Sequence, residues 1–265
     1  MIKYSDIDFN SLEKLKSQGT KATLYKNDNE CIKILDGLYD AEKKALYRKF
    51  LDMDGIKIEN VLLPKKLIIK NDKLQGFTMD YFPNSTSLFD KYLTRYVNTN
   101  ELLNDVFKAS KILRTIHDNN IICQDLSFDN ILVDENDKIV YCDIDGCSYI
   151  NHISPFISVL LKHLLFDYRK EKITISYNLD RISMIISLYY LMYLEEVQNL
   201  TKKQYDKLSN KVMTLKNTEK YVTMLLDKNN FIDNIPYLDE LINLEDDFVI
   251  NREKKKYSKK FKRHF

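Results

Sequence analysis

The sequence has few of the residues that loosen or crosslink a chain. Its 265 residues include five glycines, four prolines and four cysteines. So little glycine and proline, with no Gly/Ser-rich stretch, excludes a long flexible linker, and we expect any domain boundary to be a short connection. The cysteines form no C-x-x-C pair, and no histidine stands at zinc-ligand spacing: Cys31, Cys123, Cys142 and Cys147. This argues against a disulfide framework or a zinc site.

Long hydrophobic runs are also missing. No apolar stretch approaches the roughly 18–20 residues that cross a bilayer, and the first residues, MIKYSDIDFNSLEKL, lack the apolar segment of a signal peptide. We therefore expect no transmembrane segment and a cytoplasmic location. Hydrophobic residues make up 44% and charged residues 30% of the chain, as in a globular protein.

The small positive net charge of +2 is unevenly distributed. Residues 252–265 carry eight Lys/Arg and one Glu, which leaves the rest of the chain with a net negative charge. The basic excess is therefore a property of this tail, and we expect no specific nucleic-acid surface on the body. The tail itself is expected to be a solvated end, with binding to an anionic partner as the alternative.

The hydrophobic pattern changes near residue 82. Before it, ATLY and CIKIL flank a turn-forming KNDNE, and LIIKND precedes KLQGFTMDYF, two hairpin patterns. Between them, residues 40–53 have helical spacing, with Asp40 as the expected cap. After it, apolar residues recur every three or four positions through ELLNDVFKASKILRTIHDNN, and DRISMIISLYYLMYLEEV is also helical in pattern. We predict an α+β chain with a small antiparallel sheet and one helix first, then a larger, mostly helical part.

Three polar residues interrupt apolar, strand-like runs in IICQDLSFDNILVDENDKIVYCDIDG. They are Asp125, Asn130 and Asp143. Carboxylates and amides at such positions are costly unless they bind something. A phosphoryl-transfer site needs an acceptor that orients the attacking hydroxyl, and oxygen ligands for a hard cation that bridges the phosphates. These three side chains supply both.

D-L-S-F-D-N, followed at 13 residues by D-I-D-G, resembles the catalytic loop and metal-binding motif of the protein kinase superfamily. The resemblance implies a two-lobed, protein-kinase-like fold, with an N-lobe over residues 1–82, a C-lobe over 83–251 and the basic tail after it. It also implies ATP and Mg²⁺ as cofactors. Asp125 becomes the catalytic base, and Asn130 and Asp143 become the magnesium ligands.

The same resemblance assigns further residues around the nucleotide. Lys33, in E-C-I-K-I-L, stands where the family's V-A-I-K lysine holds the α- and β-phosphates, and Glu42 is its expected ion-pair partner. Gly19 is retained from the phosphate-covering loop. Met79 resembles the gatekeeper, so the Asp80 carbonyl and the Phe82 amide are expected to bind the adenine.

Two residues beyond the catalytic motif also match the resemblance. Asp180, which opens the pattern NLDRISMIISLYYLM, stands where the family has an aspartate that anchors the catalytic-loop backbone. His117, near the end of the preceding long helix, is expected to cap that helix.

Several positions depart from the family pattern. Ser17 and Ala22 replace two glycines of the phosphate-covering loop, and Gln124 and Ser127 replace an arginine and a lysine of the catalytic loop. Asp145 stands where the metal motif normally has glycine. If residues 143–145 form a strand, both aspartates lie on one face, and Asp145 becomes an additional magnesium ligand or binds a cationic substrate.

These observations favour an ATP- and magnesium-dependent phosphotransferase that modifies a hydroxyl-bearing substrate. By analogy of fold, a serine/threonine protein kinase acting on protein is the first reading. Asp145 supports a small-molecule kinase similar to aminoglycoside or choline phosphotransferases. The missing glycines, arginine and lysine leave a nucleotide-binding pseudokinase as a third reading.

Overall fold

The fold is taken from a computed structural model of the full chain. It describes residues 1–15, 21–93, 96–154, 176–194, 200–209, 215–226, 234–244 and 249–251. Gly19 and the basic tail of residues 252–265 lie outside the described residues.

The first part of the chain forms a six-stranded mixed sheet. Its strands are β1 (Ile2–Lys3), β2 (Glu13–Lys14), β3 (Thr23–Asn27), β4 (Glu30–Ile34), β5 (Lys66–Lys70) and β6 (Lys73–Asp80). Their order across the sheet is β1-β5-β6-β4-β3-β2. The pairs from β5 through β2 are antiparallel as predicted, whereas β1 runs parallel to β5. The expectation of a purely antiparallel sheet was wrong at this edge. The two residues of β1 are not joined to β5 by a hairpin turn, so no turn requires the two strands to run antiparallel.

Short polar turns set the register of both predicted hairpins. Asn71 and Asp72, between β5 and β6, both have positive φ angles of 50° and 58°. Two positive φ angles in a two-residue loop match the twist of antiparallel strands, and Asn and Asp adopt them at low cost. Asp28, in the turn from β3 to β4, has a φ of 51°.

The alternation of side chains along β4 decides which groups face the rest of the molecule. Ile32 and Ile34 point to one face, where they pack with Ile68 under the residues at the start of the chain. Cys31 belongs to the main core on the opposite face. Because side chains of a strand alternate, Lys33 shares the face of Cys31 and points toward that core.

Helix α1 (Asp40–Asp52) packs on this inner face. The ring of Phe50 meets that of Phe77 from β6 edge to face, with centroids 5.3 Å apart. The N-cap of the helix lies one residue earlier than predicted. It is Tyr39, whereas Asp40, the predicted cap, forms an exposed ion pair with Lys73. The Tyr39 amide donates to the Glu42 carboxylate at 2.8 Å.

The remainder of the described chain is mostly helical. It contains α2 (Leu88–Tyr92), α3 (Thr99–Asp118), α4 (Tyr177–Tyr193), α5 (Lys202–Ser209), α6 (Lys216–Leu226) and α7 (Leu238–Leu241). Its strands are β7 (Ser85–Ser87), β8 (Tyr96–Asn98), β9 (Ile121–Ile122), β10 (Ile131–Asp134), β11 (Ile139–Tyr141), β12 (Ser148–Tyr149) and β13 (Val249–Asn251). The described residues therefore make a mixed α+β structure with seven α-helices, as the α+β prediction required.

Helix α3 is the centre of this second part. Of the apolar residues that recur every three or four positions along it, Ile112 is half-buried and six are buried: Leu102, Leu103, Val106, Ala109, Leu113 and Ile116. The buried face contacts β9, β11, α4 and α7. The main core is continuous from Phe77 in the sheet through Leu102 in α3 to Tyr189 in α4. Among the described helices, none has the length and apolar composition needed to span a membrane.

Gly76 permits the close approach of β6 to β4. A Cβ atom built at Gly76 lies 2.2 Å from the backbone carbonyl oxygen of Lys33, a distance that atoms of the rigid main chain cannot accommodate. Glycine in a strand often marks such a close approach. The glycine therefore keeps β4, and with it Lys33, in position.

We expect Gly76→Ala to reduce the free energy of unfolding by about 1–3 kcal/mol, the usual cost of forcing an extra carbon into a packed interior. Urea denaturation followed by circular dichroism measures the change. Gly146→Ala is the matched control, since nothing lies within 4 Å of its added Cβ and its φ is not in the left-handed region. Equal stability of the two variants would contradict the assignment.

Candidate functional site

A β-hairpin brings Asn130 and Asp143 to the same end of two strands. In the register of β10 and β11, Ile131 lies opposite Tyr141. The next residues outward are Asn130 and Cys142, and the Cys142 amide donates to the Asn130 carbonyl at 3.0 Å. The 13-residue spacing seen in the sequence is thus the length of one hairpin, which sets Asp143 beside Asn130.

Lys33 reaches across from the sheet to this hairpin. Its ammonium donates to the carboxylate of Asp143 and, at 2.6 Å, to that of Asp145. The Lys33 side chain is 12% exposed and that of Asp145 is 14% exposed, whereas that of Asp143 is 49% exposed, so the cluster is buried at Lys33 and Asp145 and open to solvent at Asp143. Lys33 therefore forms one charged cluster with two residues that follow it by 110 and 112 positions in the chain.

The charges in this cluster shift one another. Burial on its own lowers the pKa of Lys33, but the carboxylates of Asp145 and Asp143 outweigh burial and hold that pKa above its ordinary value. Desolvation by the surrounding protein raises the pKa of Asp143, but the attraction of the Lys33 ammonium is stronger, so this pKa lies below its ordinary value. The pKa of Asp145 is raised by burial and by the charge of Asp143, against the pull of Lys33. One ammonium is thus shared by a buried carboxylate, that of Asp145, and a solvent-exposed one, that of Asp143.

The two aspartates converge through a turn and not through the strand that the sequence suggested. Strand β11 ends at Tyr141, and Ile144–Gly146 form a single 3-10 turn closed by the Cys147 amide on the Ile144 carbonyl at 3.0 Å. Asp143 enters this turn with a left-handed φ of 60°. For a residue other than glycine, that conformation persists only where its surroundings hold it.

Asp125 is joined to the same cluster through Asn130. The Asn130 side-chain amide donates to the Asp125 carbonyl at 2.9 Å, which leaves the side-chain oxygen of Asn130 for another partner. The Asp125 side chain is exposed to solvent. Asp125 follows Gln124, which has a left-handed φ of 62°. The loop thus presents a solvent-accessible carboxylate next to the hairpin that carries Asn130 and Asp143.

Asp180, at the start of α4, holds this loop from behind. It is fully buried, and its two oxygens accept the backbone N–H groups of Cys123 at 2.6 Å and Gln124 at 2.8 Å. The predicted anchoring of the loop backbone by Asp180 is confirmed. His117 does not cap α3, as predicted: its ring is buried and hydrogen-bonds to Asp180 at 3.0 Å and to the Tyr237 hydroxyl at 2.9 Å.

The expected ion pair between Lys33 and Glu42 is not formed by these two described residues. Glu42 lies in the first turn of α1, where its carboxylate accepts the Tyr39 amide. A negative charge there also complements the helix dipole, so the position is stable without Lys33. Lys33 is paired by Asp143 and Asp145 instead.

A residue that the sequence reading did not single out faces the site from α1. Lys49 is 4% exposed, and its ammonium donates to the backbone carbonyls of Asp145 at 2.5 Å and Cys147 at 2.7 Å. Burial lowers its pKa. Its position three residues after Leu46 and beside Phe50, on the buried face of the helix, was the available signal.

The segment after β6 lies near the same end of β4. Met79 is buried, opposite Cys31 in the register of β4 and β6. The Asp80 side chain is exposed and pairs with Lys65, and the Phe82 carbonyl accepts the Ser85 hydroxyl at 3.0 Å. The backbone groups expected to bind adenine are therefore at and just after the end of β6, which pairs with β4, the strand that carries Lys33.

The cysteines near the site are not activated thiols. Burial raises the pKa of Cys31 and Cys147 to about 11 and that of Cys142 to about 12. A reactive cysteine needs a lowered pKa. These residues serve as small apolar groups of the core.

An acidic cluster elsewhere already contains its cation. Glu101, Asp105 and Asp137 lie close enough to hold a metal ion. The Lys91 ammonium is bound to all three, at 2.9, 2.8 and 2.8 Å respectively. The Tyr92 hydroxyl also donates to Asp105 at 2.8 Å. We interpret this cluster as a structural ion-pair network.

The sequence was compared with protein-family models and with curated proteins. A scan against protein-family models finds no match to this chain, and a search of curated proteins finds none either.

We expect Asp180→Asn to lower the free energy of unfolding by roughly 2 kcal/mol. The NH₂ group of the new asparagine would face one of the buried backbone N–H groups of Cys123 and Gln124, and two donors cannot hydrogen-bond to each other. Urea denaturation measures this. Asp206→Asn, at an exposed position of α5, is the control and should be neutral. Unchanged stability of Asp180→Asn would show that the loop does not depend on this carboxylate.

Lys91→Met should reduce the free energy of unfolding by about 3 kcal/mol, since it removes the nearer of the two ammonium groups that pair with Asp105, a side chain that is 1% exposed. Lys73→Met removes the exposed partner of Asp40 and should cost clearly less than Lys91→Met. Thermal and urea unfolding of both variants give the comparison. If the two losses are equal, the buried network contributes no more than a surface pair.

Proposed function

We propose that this chain has a two-lobed, protein-kinase-like fold and is an ATP- and magnesium-dependent phosphotransferase. In this proposal residues 1–82 are the N-lobe and residues 83–251 the C-lobe. The observation that carries the proposal is the pairing of Lys33, from the middle of the sheet, with the carboxylates of Asp143 and Asp145 beside Asn130. Such a cluster combines a fixed positive charge with several oxygen ligands.

The donor atoms fit a hard divalent cation. Carboxylate oxygens of Asp143 and Asp145 and the side-chain oxygen of Asn130 are the ligands that Mg²⁺ prefers, with part of its coordination left to water and phosphates. When bound there, magnesium would neutralise charge on the transferred phosphoryl group. A nucleotide would lie between the sheet and the hairpin, with its adenine at the backbone of Asp80 and Phe82.

The remaining chemistry belongs to the side chains. Asp125 orients the acceptor hydroxyl and takes its proton, which its solvent-exposed position allows. Lys33 holds phosphate oxygens in line for transfer. Asp180 contributes indirectly, since it holds the amides of Cys123 and Gln124 and thereby the loop that carries Asp125.

The acceptor class is proposed from analogy of fold, with serine or threonine of a protein as the first choice. Asp145 favours a second candidate, a small-molecule kinase similar to aminoglycoside or choline phosphotransferases, whose metal motif often ends with an acidic residue. Transfer of phosphate to an amino sugar or choline, with none to protein including the enzyme itself, would select that candidate.

Asp125→Ala and Asp143→Ala should each reduce ATP hydrolysis and autophosphorylation by about 100-fold or more, because each removes a group needed in the transition state. The measurement uses labelled ATP with Mg²⁺, and thermal unfolding verifies that each variant is folded. Asp118→Ala, at the exposed end of α3, is the control and should retain the wild-type rate. Equal background signal in wild type and both site variants would instead favour a pseudokinase.

A further inference from the structure

Lys49 is a buried cation whose bonds go to main-chain carbonyls. Within the described residues it has no carboxylate in ion-pair contact; its ammonium donates to the carbonyls of Asp145 and Cys147. Removing an ammonium from water is expensive unless its hydrogen bonds are well made. By contrast Lys44, on the same helix, is exposed to solvent.

One of the two carbonyls lies within the turn next to the charged cluster, and the other lies directly after it. One belongs to Asp145 itself, and the other to Cys147, whose amide closes the turn on the Ile144 carbonyl. Asp143 enters the turn in a left-handed conformation that requires support. Lys49 therefore fixes the backbone at Asp145 and at Cys147, just before the following strand, and with it the direction of the Asp145 carboxylate.

We propose that Lys49 is the positioning residue that couples helix α1 to the metal-binding turn of residues 143–147. This inference rests on the proposed function, because it concerns the same Asp143 and Asp145. The coupling runs from a lysine of α1 to the turn backbone, while Lys33 is paired by the turn's own carboxylates. A displacement of α1 would release the turn and weaken cation binding without touching a ligand atom.

The test separates positioning from bulk stability. Lys49→Met keeps the length and apolar stem of lysine but removes the donors. Loss of a residue that orients metal ligands typically costs about 10-fold or more in metal affinity. We expect Lys49→Met to raise the Mg²⁺ concentration that half-saturates binding of a fluorescent ATP analogue by about 10-fold. Hydrogen exchange of the amides in residues 143–147 should become faster without nucleotide.

Two further variants serve as controls. Lys44→Met makes the same change on the exposed face of α1 and should leave both readouts at the wild-type value. Lys49→Arg restores charged donors and should recover most of the Mg²⁺ affinity lost in Lys49→Met. If Lys49→Met does not fold, Lys49→Gln, a shorter neutral donor, takes its place and should show an intermediate Mg²⁺ requirement.

The outcomes distinguish this inference from the proposal beneath it. Wild-type protein that binds no ATP analogue with Mg²⁺ would overturn both. The role of Lys49 alone would be overturned by a different result. In that case the wild type binds the analogue, and folded Lys49→Met, or Lys49→Gln in its place, keeps the wild-type Mg²⁺ requirement and amide exchange. A lower melting temperature with unchanged Mg²⁺ requirement would also overturn it, since that is the signature of a residue with only a structural role.

Discussion

The contact of one lysine with two aspartates holds the candidate site together. Lys33 comes from the centre of a sheet formed early in the chain, and Asp143 and Asp145 come from a turn more than a hundred residues later. A buried ammonium and a buried carboxylate are each costly alone, so the positions of Lys33 and Asp145 depend on one another. The register of β4, the close approach at Gly76 and the turn after β11 all serve to make this contact.

Behind this contact lies a second set of bonds that uses the backbone. Asp180 accepts amides of the loop before Asp125, and Lys49 donates to carbonyls of the turn after Asp143. One is a buried anion and the other a buried cation, and each satisfies main-chain groups that no regular element pairs. Irregular backbone that carries exposed or charged side chains needs such partners, because an unpaired buried N–H or C=O is costly. The site therefore depends on residues that would not touch a substrate.

Local patterns predicted most of the elements. The apolar spacing of α3 is that of a buried helix, and Asn71 and Asp72 suit a tight hairpin turn. Two of the expectations that failed concerned partners far apart in the chain. Glu42 was assigned to Lys33 from order along the chain, but a carboxylate in the first turn of a helix has a nearer donor in its own N-cap amide. His117, expected as a cap, instead binds Asp180 and Tyr237, which follow it by 63 and 120 residues.

The sequence by itself determined the helices and hairpins, and the hairpin length that sets Asn130 beside Asp143, because periodicity and turn chemistry act between near neighbours. Only the tertiary structure decided that Asp145 shares Lys33 with Asp143, that β1 lies parallel to β5, and that Lys49 meets the carbonyls of Asp145 and Cys147. Those outcomes arise from burial, and a charged side chain goes inside only where a particular distant group compensates it. A linear pattern does not encode where that group will lie.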